Sequence, residues 1–179
     1  MKPEELDYVI NTHEHFDHIG GNLHLQNHAT VMAHRMAAVK IIYGDEEVTM
    51  CRAHGQKLTG YRVHVWLNNT DVIDLGSWFL KVIYTPGHTS GCICLYEPRK
   101  RILFSGDSLF ASGTLSTIFK SGSLAEYFNS LRRLRTMKIN LLLPGHGRIS
   151  RNIESYIEKT IENALRIFPE AEKLVSMFG

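Results

Sequence analysis

The sequence predicts a layered α/β domain, and three observations lead to it. Short apolar runs of strand-forming residues (6–10, 80–84, 101–104 and 141–143) are each followed within a few residues by a loop, and the last three break at once into turns containing Gly or Pro. Two later stretches, 123–134 and 152–168, instead repeat apolar residues at helical spacing. The 179 residues, 44% apolar and 21% charged, suit one domain over 1–179 that buries a substantial core.

Taken in order, the run Leu6-Asp7-Tyr8-Val9-Ile10 reads as a strand that leads into His13-Glu14-His15-Phe16-Asp17-His18. The stretch from Arg35 to about Thr70 is the least legible, with a helix expected over Met36–Ile42. Leu80 to Tyr84 reads as a strand running into Thr85-Pro86-Gly87-His88-Thr89-Ser90-Gly91. Cys92 and Cys94, two apart in an apolar run, are expected on one side of a strand as a buried thiol pair. Arg101 to Phe104 leads into Ser105-Gly106-Asp107-Ser108, and Leu141 to Leu143 into Pro144-Gly145-His146-Gly147.

Ser123 with Glu126 three residues on is a capping-box pattern, opening a helix with Leu124, Phe128, Leu131 and Leu134 on one stripe. The cluster Arg132-Arg133-Leu134-Arg135 reads as the wet face of that helix rather than a phosphate reader. A longer helix is expected from about Asn152 to Phe168, with Ile153, Ile157, Ile161, Leu165 and Phe168 inward and Glu154, Glu158, Glu162 and Arg166 outward. Pro169 ends it, and a short amphipathic tail with Leu174, Val175 and Phe178 follows. Neither repeats nor low-complexity tracts interrupt the chain.

Composition excludes several function classes. A net charge of +2, with ten histidines counted neutral, makes no case for nucleic acid or a membrane surface. No segment reaches transmembrane length and the start carries no apolar signal region, so a cytoplasmic protein is expected. Three cysteines form neither a full set of disulfides nor a spaced zinc-finger pattern.

The chemistry concentrates in the loops. Imidazole nitrogen is the commonest protein ligand of borderline metals, and carboxylate oxygen completes such sites. Alternation aims His13, His15 and Asp17 at one point and leaves His18 to point elsewhere, so one loop can feed two neighbouring metals. Four strand-to-loop junctions carry ligand residues, where layered α/β folds gather their sites. His24, His28, His34, His54 and His64 fall in no such loop and are expected in surface or core roles.

The H-x-H-x-D-H cluster, the Thr-Pro-Gly-His-Thr-Ser-Gly turn, the Gly-Asp-Ser turn and the Pro-Gly-His-Gly turn, in that order, resemble the metallo-β-lactamase superfamily of αββα sandwich hydrolases. The resemblance runs from Tyr8 to about Ile149. It implies that His13, His15 and His88 hold one metal, that Asp17, His18 and His146 hold another, and that Asp107 bridges the two. Zinc suits this N/O ligand mix, with manganese or iron also fitting. The implied chemistry is hydrolysis of a small-molecule thioester, ester or related acyl bond by a hydroxide shared between two metals, with Asp17 accepting or relaying the proton.

Within the superfamily, Gly106-Asp107-Ser108-Leu109-Phe110 looks most like glyoxalase II. Only 33 residues follow His146, so the helical domain that binds glutathione there is expected to have no counterpart. Ser112-Gly113-Thr114-Leu115 stands where those enzymes carry Gly-Arg-Thr-Asp, and Phe110 where lactone-cleaving relatives carry tyrosine. A broader acyl hydrolase is therefore expected. A mononuclear iron persulfide-dioxygenase-like enzyme and an inactive metal-binding fragment are the alternatives. Twelve residues precede His13 where the family has several strands, so an N-terminally incomplete sandwich is expected, one that forms a homodimer or exposes an apolar patch.

Overall fold

In the computed structural model, which describes residues 2–169, the expected first strand is β1 (Tyr8–Asn11). It begins later than expected because the chain enters through a 3-10 turn, Pro3–Glu5, in which the Leu6 N–H donates to the Pro3 carbonyl. The order continues α1 (Phe16–Ile19), α2 (Asn22–Leu25), β2 (Thr30–His34), α3 (Arg35–Tyr43), β3 (Val65–Leu67), β4 (Val72–Asp74), β5 (Phe79–Tyr84), β6 (Ile93–Glu97), β7 (Ile102–Gly106), α4 (Leu124–Arg135), β8 (Leu141–Pro144) and α5 (Ile153–Ile167). The proposed tail with Leu174, Val175 and Phe178 lies outside the described residues.

Two sheets result. β1, β2 and β3 pair in parallel, with β2 central. β4 to β8 form a second sheet in sequence order, antiparallel except for the parallel β7–β8 pair, whose register shifts between Phe104 and Gly106. Such a bulge re-aims the residues that follow, and here that residue is Asp107.

Three apolar layers define the architecture. Met32 and Leu67 from the first sheet meet Ile73, Leu80, Val82, Ile93 and Leu95 from the second. Outside the first sheet, α3 buries Ala37, Ala38 and Ile41 with Ile19, Ala33 and Tyr61. Outside the second, Tyr127, Leu131 and Leu134 of α4 and Ile153 and Ile157 of α5 pack on Cys94, Leu103 and Leu142. Helix, sheet, sheet, helix is the expected αββα sandwich. A strand buried on both faces reads as a continuous apolar run rather than an alternating one, as Ile93-Cys94-Leu95 does.

The helices follow their sequence signals closely. Ser123 caps α4 by accepting the Glu126 N–H at 3.4 Å. Arg133 Nη1 donates to the Tyr84 carbonyl and Arg135 pairs with Glu158, so those two arginines of the basic cluster face outward and bind within the protein. In α5 the innermost line is Ile153, Ile157, Thr160 and Ala164, while Ile161, Leu165 and Phe168 are only half-buried. Successive steps of four, three and four residues follow the 3.6-residue turn, whereas the expected line, with three steps of four in a row before Phe168, drifts around the helix.

The segment from Arg35 to Thr70 holds α3, one residue longer at each end than expected, and the three-residue strand β3. His34 caps α3, its Nδ1 accepting the Met36 N–H, and its ring stacks on Tyr84 at 4.1 Å. The His64 ring accepts the Val31 N–H at 2.9 Å, while His24, His28 and His54 are exposed. Cys51, Cys92 and Cys94 are all free and buried. Along the β1, β3 and β4 edges a groove of mixed character is lined by Tyr8, Met32, Val65, Leu67, Val72 and Ile73 together with Asp71 and Asp74, with Val72 57% exposed.

Candidate metal centre

Four loops at the C-terminal ends of β1, β5, β7 and β8 converge on one end of the sandwich. They carry His13, His15, Asp17 and His18, then His88, then Asp107, then His146. Cross-ties set their approach. The Ile93 N–H donates to the Thr12 carbonyl, joining the first loop to the second sheet, and the Gly145 N–H donates to the Gly106 carbonyl. Gly145 is a spacing requirement as well: a Cβ there would sit 2.5 Å from Asp107 Oδ1 and 2.8 Å from His18 Cε1.

The seven side chains divide into overlapping groups. His13 Nε2 lies 3.1 Å from His15 Nδ1, and His88 Nε2 lies 3.0 Å from the same atom. On the other side, His18 Nε2 and His146 Nε2 are 3.2 Å apart, with Asp17 Oδ2 at 3.1 Å from His146 Nε2. Asp107 stands between, Oδ1 at 3.5 Å from His18 Nε2 and Oδ2 at 3.6 Å from His88 Nε2. The ligand atoms of His13, His15 and His88, of His13, His18 and Asp107, and of Asp17, His18 and His146 each lie within 4.8 Å of one another, as donor sets able to hold a metal do.

Strict alternation from His13 groups Asp17 with His13 and His15, and the structure corrects this. His15 is the N-cap of α1 and keeps extended backbone angles, whereas Asp17 and His18 are already helical. The two-residue period therefore stops at His15, and Asp17 swings to the side of His18 and His146.

Burial separates the two ends. His13, His15, His88 and Asp107 are buried, His18 half-buried, and Asp17 and His146 exposed. Burial, reinforced by His18, His15, His88 and His146, holds the His13 imidazole well below its usual range. Burial likewise lowers His15 to about 3, with His88 adding and Asp17 opposing. Burial lowers His18 against the pull of Asp107 and Asp17, and lowers His88 against its bond to the Thr117 carbonyl. Neutral imidazoles are what a cation needs as ligands. For Asp107, burial raises the carboxyl group, with His18 and His146 pulling it back.

The fit to a cation rests on two further observations. The His88 Nδ1–H faces the Thr117 carbonyl at 2.7 Å and the Ser116 hydroxyl at 2.9 Å, so its proton sits there and Nε2 presents a lone pair to His13 and His15. The buried Asp107 Oδ1 has no hydrogen-bond partner among the described residues. A buried carboxylate oxygen without a donor is costly, and lone pairs crowded within about 3 Å repel. A divalent cation held among these donors would relieve both.

Second-layer contacts were not legible in the sequence. Phe119 packs edge-on against both His15 and His88, with centroids at 4.5 Å and 5.1 Å. A cavity of about 290 Å³ opens beside His146, lined by Phe110, Ala111, Ser112, Thr114, Gly147 and Arg148. Glu14 lies within the first cluster, yet its side chain points away from the metal-type ligands into a buried polar network. Its full burial depends on residues far along the chain, which no local pattern announces.

Comparison with known proteins agrees with this geometry. The family profile described as the metallo-beta-lactamase superfamily matches residues 1–146. A hydroxyacylglutathione hydrolase of Maricaulis maris (strain MCS10) is 36% identical over 169 residues, covering 94% of this chain and 56% of that protein. The acyl-coenzyme A thioesterase MBLAC2 of Homo sapiens is 31% identical over 176 residues, covering 84% of this chain and 62% of the relative. The chain thus spans somewhat over half the length of these curated relatives. Among solved structures, TTHA1623, crystallised in a di-iron-bound form, superposes with a TM-score of 0.69 at 25% identity, over 86% of this chain and 75% of that one.

Proposed function

The chain belongs to the metallo-beta-lactamase superfamily, and from that premise we propose that it is a metal-dependent hydrolase of thioester, ester or related acyl bonds in a small molecule. The observation that carries the proposal is the convergence of seven donors from four loops into three groups, of which the His13, His18 and Asp107 group shares a histidine with each of the other two. In this reading His13, His15 and His88 hold one ion, Asp17, His18 and His146 a second, and Asp107 offers one oxygen to each side. Zinc is the proposed metal, because neutral imidazole and carboxylate suit it; manganese and iron accept the same donors. Two such ions supply a water of lowered pKa and a Lewis acid for the acyl carbonyl.

The chain's own residues do the rest. The Thr117 carbonyl and Ser116 hydroxyl fix the His88 tautomer, and the Phe119 ring closes the buried flank of His15 and His88 against bulk water. Asp17 is the exposed carboxylate of the site, with Oδ2 3.1 Å from His146 Nε2, and is placed to accept a proton and pass it to solvent. The cavity beside His146 receives the acyl group against Phe110 and Ala111, with Arg148 at its rim to meet a negative charge. The thioester preference is supported by the two relatives, whose names are those of thioester-cleaving enzymes.

Two donor triads with no residue in common, His13, His15 and His88 and Asp17, His18 and His146, favour a binuclear hydrolase over a mononuclear iron oxygenase. The test is Asp107→Ala, assayed for metal content and for turnover of a panel of thioesters, esters and lactones. Wild-type protein should carry two ions and hydrolyse at least one thioester, and the variant should fall to one ion or fewer with turnover at background. A variant that keeps both ions and full turnover refutes the scheme.

A further inference from the structure

Between His13 and His15, the Glu14 side chain is completely buried. Its Oε1 accepts from Lys40 Nζ at 2.5 Å and from the Ser121 hydroxyl at 3.1 Å, and its Oε2 accepts from the Thr89 hydroxyl at 2.9 Å. Lys40, on α3, also donates to the Ser90 hydroxyl at 2.5 Å. The carboxylate therefore joins its own loop to α3, to the turn carrying His88, and to the segment before α4. Gly91 leaves room for it, since a Cβ there would run into Glu14 Oε2 and stand 2.7 Å from the Ala37 Cβ.

Stability alone does not account for this arrangement. A buried ion pair is often replaceable by apolar side chains of similar volume with no loss of stability. What apolar packing does not provide is direction, and here the direction is specific. Glu14 is flanked by His13 and His15, Thr89 follows His88, and these three imidazoles come from opposite sheets. A shift at the Glu14–Thr89 bond is transmitted over one residue on each side to the 3.0 Å approach of His15 Nδ1 and His88 Nε2.

We propose that Glu14 is a positioning residue: its carboxylate, neutralised by Lys40 and held by Thr89 and Ser121, locks the His13–His15 loop to the His88 turn and thereby sets the affinity of the three-histidine group for a divalent cation. The inference rests on the metal reading above and goes beyond it by assigning a residue that binds no metal. Outer-shell partners of this kind change metal affinity by about 10- to 100-fold when lost.

The experiment measures cobalt(II) affinity and the visible absorption bands of bound cobalt, using full-length protein freed of metal. A His146→Ala background isolates the three-histidine group, and a His13→Ala background isolates the other. Into each goes Glu14→Gln with Lys40→Met, which removes both charges while keeping the volume, and separately Thr89→Val, which deletes one bond isosterically. In the His146→Ala background the double substitution should weaken cobalt binding about 10-fold or more with altered bands, and Thr89→Val by about 3- to 10-fold. In the His13→Ala background neither should matter. Equal weakening in both backgrounds, or wild-type affinity throughout while the parent still binds two ions, overturns the inference alone. A parent that binds no cobalt overturns the metal reading and this inference with it.

Discussion

Replacing Gly145 by alanine tests how finely the second metal position is built. Ordinary van der Waals contact for an added Cβ begins near 3.4 Å, and here it would meet Asp107 Oδ1 at 2.5 Å and His18 Cε1 at 2.8 Å. The shortfalls are about 0.9 Å and about 0.6 Å, whereas metal–ligand distances tolerate roughly 0.2 Å. At least one of the two groups must therefore leave its place by several times the tolerance. Overpacking of this size costs about 1–3 kcal/mol, equivalent to about one to two decades of affinity. The strain is absorbed where the ligands can yield, so the loss should appear in metal binding at the side of His18, while His13 and His15, which lie away from the new methyl, change little. The assay is a competition titration of metal-free protein with zinc against a chromophoric chelator, resolving two steps, with urea unfolding of the metal-free form alongside. The expected result is one step near wild-type affinity and one weakened by about 10- to 100-fold. Two unaltered steps would refute the claim that Gly145 stands in contact with ligand side chains.

Two further outcomes test the frame around the site. Tyr127 is fully buried and its hydroxyl accepts the buried Ser116 N–H at 3.2 Å, so Tyr127→Phe strands that donor beside His88. The urea midpoint should fall by an amount equivalent to about 1–3 kcal/mol with an unchanged slope, and no change in midpoint would contradict the bond. Burial, assisted by Arg35 and Lys40 and opposed by Asp71, lowers His34 to about 4. The unfolded imidazole then protonates near its ordinary pH, of about 6.5, while the folded one does not. The unfolded state binds the extra proton between those values, so the contribution is complete above about pH 6.5 and is lost as pH falls towards 4. His34→Asn keeps a cap acceptor and should flatten this stretch of the stability profile by up to about 1.4 kcal/mol per pH unit in metal-free protein. A variant whose profile runs parallel to wild type would show that His34 is not responsible.

The parts of the fold that were legible in the sequence are those decided by neighbours in the chain. The α4 stripe of Phe128, Leu131 and Leu134 was visible with its Ser123 cap, and each of the four ligand loops was announced by the strand run before it. The three-residue strands β3 and β4 carried no such signal: they are too short for a period to register, and they exist because β2 and β5 offer free edges to pair with. The inner line of α5 was misjudged for a related reason. Thr160 is buried there despite its hydroxyl, which donates to the Tyr156 carbonyl one turn back, so its polarity never meets the core.

The sequence by itself determined the chemistry available, seven imidazole and carboxylate side chains placed directly after strands, because side-chain identity and strand-to-turn punctuation are local properties. Only the tertiary structure decided how those ligands are shared, since the start of α1 at Phe16 turns Asp17 away from His15, and the stacking of two sheets brings His88 to within 3.0 Å of a residue 73 positions earlier. It also decided the fate of Glu14, whose carboxylate is buried and satisfied by partners 26, 75 and 107 residues away. A charge is tolerated in a protein interior only where donors from distant segments have been folded around it, and that condition belongs to the assembled fold rather than to any stretch of sequence.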